Sequence, residues 1–131
     1  MCPFCSPDSR RVLSESLLTR TLLDAFPVSP GHALVVPKRH IASAFEATNE
    51  EMAEIWAALR KTAEALTMES SDRCPKPDGF NIGVNCGPAA GQTVMHLHWH
   101  LIPRYAGDQP DARGGIRRIF PELADYWSAS K

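Results

Sequence analysis

Between His96 and Leu101 the chain reads His-Leu-His-Trp-His-Leu, polar and apolar in strict alternation. A period of two belongs to a β-strand, because successive side chains leave a pleated backbone on opposite sides. His96, His98 and His100 therefore share one face, and Leu97, Trp99 and Leu101 share the other. The apolar face must pack on a second layer, and the opposite face must serve something that uses three imidazoles.

The remaining patterns fill in the sheet. Thr93 to Ile102 is predicted as one strand ended by Pro103. Thr48 to Met68 is the long helix: Thr48 and Glu51 fit a capping box, and Met52, Ile55, Trp56, Leu59, Ala63 and Leu66 follow one apolar stripe. On that spacing Met52 and Trp56 are expected in the core. Val12 to Asp24 reads as a hairpin of two strands, and Pro27, Pro30 and Gly31 mark a turn. Ala33 to Val36 is a short buried strand stopped by Pro37. Phe80 to Asn85 alternates as a further strand, after a loop over Ser70 to Asp78. Pro121 to Trp127 is read as a short helix. Strands with one central helix and no regular βαβ repeat predict an α+β fold, an antiparallel sheet of about five strands with one main helix. The 131 residues suffice for a single domain. Residues 1–10 form an N-terminal CxxC segment and residues 106–131 a C-terminal tail.

Composition excludes several classes. The formal charge of −1 provides no basic field for nucleic acid. No stretch reaches the eighteen or so apolar residues of a membrane span, and no basic-then-apolar leader opens the chain. A cytoplasmic location is expected. Cys74 and Cys86 are isolated, whereas Cys2 and Cys5 form a C-x-x-C pair suited to metal or redox work in that compartment. A thioredoxin-like site is disfavoured by Pro3 and by the lack of a preceding strand.

Two chemistries compete for the histidine face. An H-x-H pair can chelate zinc, but the first and third rings lie roughly 13 Å apart on an extended strand, so all three cannot share one ion. Alternatively, a neutral imidazole attacks phosphorus well at pH 7, and its phosphoramidate is reactive enough to be discharged. Gly87-Pro88-Ala89-Ala90-Gly91 is almost bare of side chains, which lets backbone amides approach an anion. Gln92 and Thr93 add neutral donors. The lysine-serine/threonine ending of a P-loop is missing.

Gly91-Gln92-Thr93-Val94 followed by His96-Leu97-His98-Trp99-His100-Leu101-Ile102 resembles the signature of the histidine triad superfamily. Pro30-Gly31-His32-Ala33-Leu34-Val35-Val36-Pro37-Lys38-Arg39-His40 resembles its second landmark, a strand opening on histidine and closing on Pro-Lys-x-His. The likeness runs from Cys2 to about Tyr105. Gly-Gln-Thr-Val and Leu-Ile-Pro-Arg look closest to the dinucleoside polyphosphate hydrolase branch related to the fragile histidine triad protein. Gly114-Gly115-Ile116-Arg117 and Tyr126-Trp127 resemble bacterial tails.

The resemblance implies roles residue by residue. His98 would be the nucleophile that becomes nucleotidylated, His100 would contact the α-phosphate and leaving group, and His32 would be their proton-relay partner. Asp24 matches a ribose-binding position, and Asn85, Gln92 and Thr93 match phosphate-contacting ones. Transferase branches carry Gln where this chain has His100, which favours transfer to water. Several relatives bind zinc through residues matching Cys2, Cys5, His40 and His96, and such a closed set of two thiolates and two imidazoles is structural. No organic cofactor is implied, and a homodimer is. The expected activity is hydrolysis at the α-phosphate of dinucleoside polyphosphates or nucleoside phosphoramidates. The alternatives are a nucleotidyltransferase, a nucleotide-sensing module with little turnover, and a zinc enzyme whose metal sits on two triad histidines. Apolar residues such as Phe26 are candidates for the base pocket or the core.

Overall fold

The computed structural model describes residues 1–68 and 75–128. Five strands form one sheet: β1 (Val12–Glu15), β2 (Thr19–Leu23), β3 (Ala33–Pro37), β4 (Gly79–Val84) and β5 (Trp99–Arg104), with the long helix α1 (Asn49–Met68) between β3 and β4. The spatial order is β1-β2-β3-β5-β4, and every pairing is antiparallel. The predicted α+β architecture and its one main helix are observed. The chain crosses from β3 through α1 to the sheet edge, and β5 then inserts between β3 and β4. The last strand thus lies at the centre, held on both sides.

Each face of the sheet has its own packing. Ala33, Val35 and Leu101, together with Leu97 just before β5, meet Ile55 and Leu59 of α1 in the main core. Phe80, Ile82, Val84 and Trp99 pack around it. On the opposite face Leu22, Leu34 and Val36 are covered by Phe4 of the N-terminal segment. The expected separation of Leu97, Trp99 and Leu101 from the histidines is therefore realised. α1 opens as its sequence dictates: Glu51 N–H donates to Thr48 Oγ1 (3.0 Å) while Thr48 N–H donates to Glu51 Oε1 (2.9 Å). Glu51 is buried because Arg39 also holds it, Nη2 to Oε1 at 2.7 Å.

Four expectations are corrected. Thr93 to Ile102 is not one strand: the ladder begins at Trp99 and continues through Pro103 to Arg104. Before Trp99, side chains replace the ladder, since Pro37 O accepts from the His96 ring and His96 O from the His98 ring. Pro103 is tolerated because β3's pairing with β5 ends at Leu101, so no neighbour on that side needs its missing N–H. Trp56 is 54% exposed rather than core. It stands about 100° around the helix from Ile55, off the stripe that meets the sheet. The Pro121–Trp127 helix is instead a short 3₁₀ turn, Pro121–Leu123, preceded by another at Gly115–Ile119. Phe26 is exposed and takes no part in the core. Of the predicted 70–78 loop, residues 70–74, Cys74 included, lie outside the described residues.

Candidate active site and metal centre

The expected histidines divide into two groups. His96 is fully buried and turns toward the N-terminus, where Cys2 Sγ lies 3.4 Å and Cys5 Sγ 3.5 Å from its Nδ1. His40, just after β3, brings its Nδ1 to 3.1 Å from Cys5 Sγ and 3.1 Å from His96 Nδ1. A tetrahedral zinc ion with its usual bond lengths separates two nitrogen ligands by about 3.4 Å and nitrogen from sulfur by about 3.6 Å. The four donors already stand near those edges. His96 Nε2–H donates to Pro37 O at 2.8 Å, which leaves Nδ1 as the lone pair facing the thiols. The residues present fit zinc in a closed, four-ligand site.

The second group comprises His98, His100, His32 and Asp24. His98 Nδ1–H donates to His96 O at 2.8 Å, so its lone pair is on Nε2. The His100 ring lies 5.2 Å from that of His98, centroid to centroid. Val28 N–H donates to His32 Nδ1 (3.2 Å), which puts the proton of His32 on Nε2. That proton faces His100 Nδ1 at 3.0 Å, with Asp24 Oδ2 at 3.4 Å. The proton of His100 is left on its Nε2. Burial lowers the pKa of His100 to about 4, aided by His98 and His32 nearby. Burial likewise lowers that of His32, against the opposing pull of Asp24. Both rings are neutral at pH 7. The arrangement offers one unprotonated nitrogen beside one N–H donor backed by a second imidazole, which is what attack on a phosphoryl centre requires.

The other expected residues are placed as follows. Asp24 follows β2 and accepts from Phe26 N–H at 2.8 Å. Asn85 comes one residue beyond Val84, which faces Trp99 across the β4–β5 ladder. Gln92 is buried and engaged: Oε1 accepts from Gly87 N–H (2.9 Å), and Nε2 donates to Ala42 O (2.8 Å) and Val94 O (3.0 Å). Its side chain braces the 87–91 loop, whose glycines Gly87 and Gly91 take φ of 93° and 92°. Thr93 is exposed. Sequence reasoning missed Phe4, whose ring centroid lies 4.9 Å from that of His98 and 5.9 Å from that of His96. The available signal was an apolar residue between two cysteines assigned to metal.

Known proteins are similar to this chain in sequence and fold. The family model described as the HIT domain matches residues 8–107. The AP-4-A phosphorylase of Mycobacterium tuberculosis is 35% identical over 107 residues, covering 81% of this chain and 52% of its own length. The chain thus spans about half of that relative. The adenosine 5'-monophosphoramidase hnt1 of Schizosaccharomyces pombe is 37% identical, covering 70% of this chain and 62% of its own length. A crystal structure of a Zn-bound histidine triad family protein from Mycobacterium smegmatis superposes with a TM-score of 0.69 at 33% identity, covering 84% of each chain.

Proposed function

Because this chain belongs to the HIT-domain family, we propose that it is a nucleotide-processing enzyme that works through a nucleotidyl-histidine. The observation that carries this reading is the His98 ring, fixed at Nδ1 by His96 O and open at Nε2 beside two neutral imidazoles. In the first step His98 Nε2 bonds to the α-phosphorus of an adenine or guanine nucleotide derivative. The bond from phosphorus to the phosphate, amine or second nucleotide breaks. His100 Nε2–H hydrogen-bonds the departing atom, which leaves as a phosphate anion or, for an amine, takes its proton from solvent; His32 Nε2–H stays on its ring and orients His100 through Nδ1. In the second step water attacks phosphorus, the P–N bond breaks to restore neutral His98, and the proton of the attacking water is released to solvent. Asn85 and Thr93 stabilise the phosphoryl oxygens, while Gln92 holds the 87–91 loop in shape. The Asp24 carboxylate accepts ribose hydroxyls.

The printed names of two relatives, a phosphorylase of AP-4-A and a monophosphoramidase, support substrates with an adenosine α-phosphate. The first name favours inorganic phosphate as a second-step acceptor, a reading separated from hydrolysis by whether turnover requires added phosphate. Zinc held by Cys2, Cys5, His40 and His96 would tie the N-terminal segment to the catalytic strand, and it takes no part in the chemistry. Two thiolates kept as ligands suit a reducing, cytoplasmic compartment. β4 has a neighbour on one side only, and its open edge supports a homodimer. The reading is tested by incubation with labelled diadenosine polyphosphate and with adenosine phosphoramidate, followed by trapping of an acid-labile nucleotidyl adduct. The adduct is expected on wild type and absent from His98→Ala; normal turnover by that variant would reject the mechanism.

A further inference from the structure

We propose that Cys2 and Cys5 are a peroxide-oxidisable pair, and that closing them into a disulfide withdraws Phe4 from His98 and slows turnover. The oxidation site rests on the thiols alone, whereas its effect on turnover rests on the nucleotidyl-histidine reading above.

The pair is placed for bridging. Ser6 N–H donates to Cys2 O at 3.3 Å, so residues 2–6 form one turn. On helical geometry such a turn brings its first and fourth Cα atoms to about 5 Å, within the roughly 4.4–6.8 Å that a disulfide spans. The two sulfurs and the ring nitrogens of His40 and His96 all lie within 4.8 Å of one another. This cluster has an inner and an outer side. His96 is buried, whereas Cys5 and His40 are exposed, so a small oxidant reaches Cys5 first. Metal ligation keeps both sulfurs as thiolates, the form that peroxide attacks.

The step balances with hydrogen peroxide as the two-electron oxidant. Cys5 thiolate attacks a peroxide oxygen, the O–O bond breaks, and the departing hydroxide takes a proton from solvent, leaving a sulfenic acid and water. Cys2 thiolate then attacks the Cys5 sulfur, the S–O bond breaks, and a second hydroxide leaves as water. The product is a Cys2–Cys5 disulfide, which a dithiol reductant reopens by exchange. Both anionic donors are consumed, so the four-ligand set no longer exists.

Oxidation thereby frees the turn. Among the described residues, no backbone hydrogen bond joins residues 2–6 to the rest of the chain, and the contacts of hydrogen-bond length are those of the two thiols to His40 and His96. The other hold is Phe4, which packs with Leu22, Leu34 and Val36 and sets its ring 4.9 Å from that of His98. Phe4 sits between the two cysteines, so the anchorage of the thiols is also the anchorage of its ring. His98 keeps its bond to His96 O, and turnover therefore falls rather than stops.

The test treats reduced, zinc-loaded protein with one equivalent of hydrogen peroxide. Expected are a Cys2–Cys5 disulfide by differential alkylation and peptide mass, and one zinc per chain released to a metal-indicator dye. On diadenosine tetraphosphate kcat should fall about tenfold with KM within about twofold, and dithiothreitol plus zinc should restore it. Phe4→Leu, which keeps an apolar side chain in the turn, should start near the lowered kcat, release zinc as wild type does, and lose nothing further on oxidation. Oxidation confined to Cys74 or Cys86, zinc retained after treatment, or reduced protein that takes up no zinc would each overturn the site. A disulfide with unchanged kcat, or Phe4→Leu with wild-type kcat, would overturn the coupling. If reduced wild type forms no nucleotidyl adduct, the catalytic reading has failed and the coupling falls with it, while the disulfide and the zinc released still decide the oxidation site.

Discussion

Two clusters of imidazoles lie within a few residues of each other along the approach to β5, and they are built for opposite ends. In one, His96 and His40 present Nδ1 to two thiols, and Pro37 O caps the far nitrogen of His96. In the other, His98 is capped at Nδ1 by His96 O, which leaves Nε2 unprotonated, while His32 Nε2–H donates to His100 Nδ1 and the proton of His100 is on its Nε2. The same residue type two positions apart thus differs in which nitrogen carries the lone pair. Residue type suits both roles, and the backbone carbonyl bonded to the ring decides between them. Phe4 is the only described side chain whose ring touches both clusters, through His96 and His98.

This division can be broken or sharpened by substitution. The largest effect is expected for His98→Ala, with a loss of at least about 10³-fold in turnover and zinc content unchanged by elemental analysis. Zinc loss in that variant would mean that the clusters are not separate. Cys5→Ser should do the reverse, abolishing stoichiometric zinc and lowering stability by about 3 kcal/mol in a chemical melt. Adduct formation by the fraction that remains folded should persist. Phe4→Ala is expected to cost about 2 kcal/mol by the same melt. It should also lower kcat with little change in KM, because the ring bears on His98 without reaching substrate.

Acid should act on the second cluster and give the smallest change. His100 accepts a proton in the folded state only near pH 4, against 6.5 for an ordinary histidine. The unfolded chain therefore binds more protons between those values. Stability should be full above pH 6.5 and decline as the pH falls toward 4, visible as a Tm shift of several degrees. His100→Gln should flatten that slope. An unchanged slope would mean that the ring is not held neutral by burial.

Much of the architecture was legible because local chemistry and global packing agree. The capping box at Thr48 and Glu51 works as its residues suggest, and β3, wholly apolar, lies between two neighbours. The failures arise where a tertiary partner replaces a local rule. Alternation alone extends the last strand back to Thr93, but from His96 to His98 the ladder gives way to ring-to-carbonyl bonds and to Leu97 N–H donating to Ile41 O. Pro103 looks like a terminator until the limited length of β3's pairing is known. Trp56 lies within an apolar pattern broader than the contact it makes. Gln92 reads as a phosphate donor, yet its amide is committed to three backbone groups that are distant or unremarkable in sequence.

By itself the sequence determined that three imidazoles would alternate with Leu97, Trp99 and Leu101, and the apolar set does enter the core. It also supplied the residue types for both centres, two thiols and five histidines among them. Only the folded chain decided how these were shared. Carbonyl oxygens of Pro37 and His96, and the amide of Val28, fix which nitrogen of each ring is free, and those partners meet the rings through strand pairing and turns that no spacing of histidines encodes.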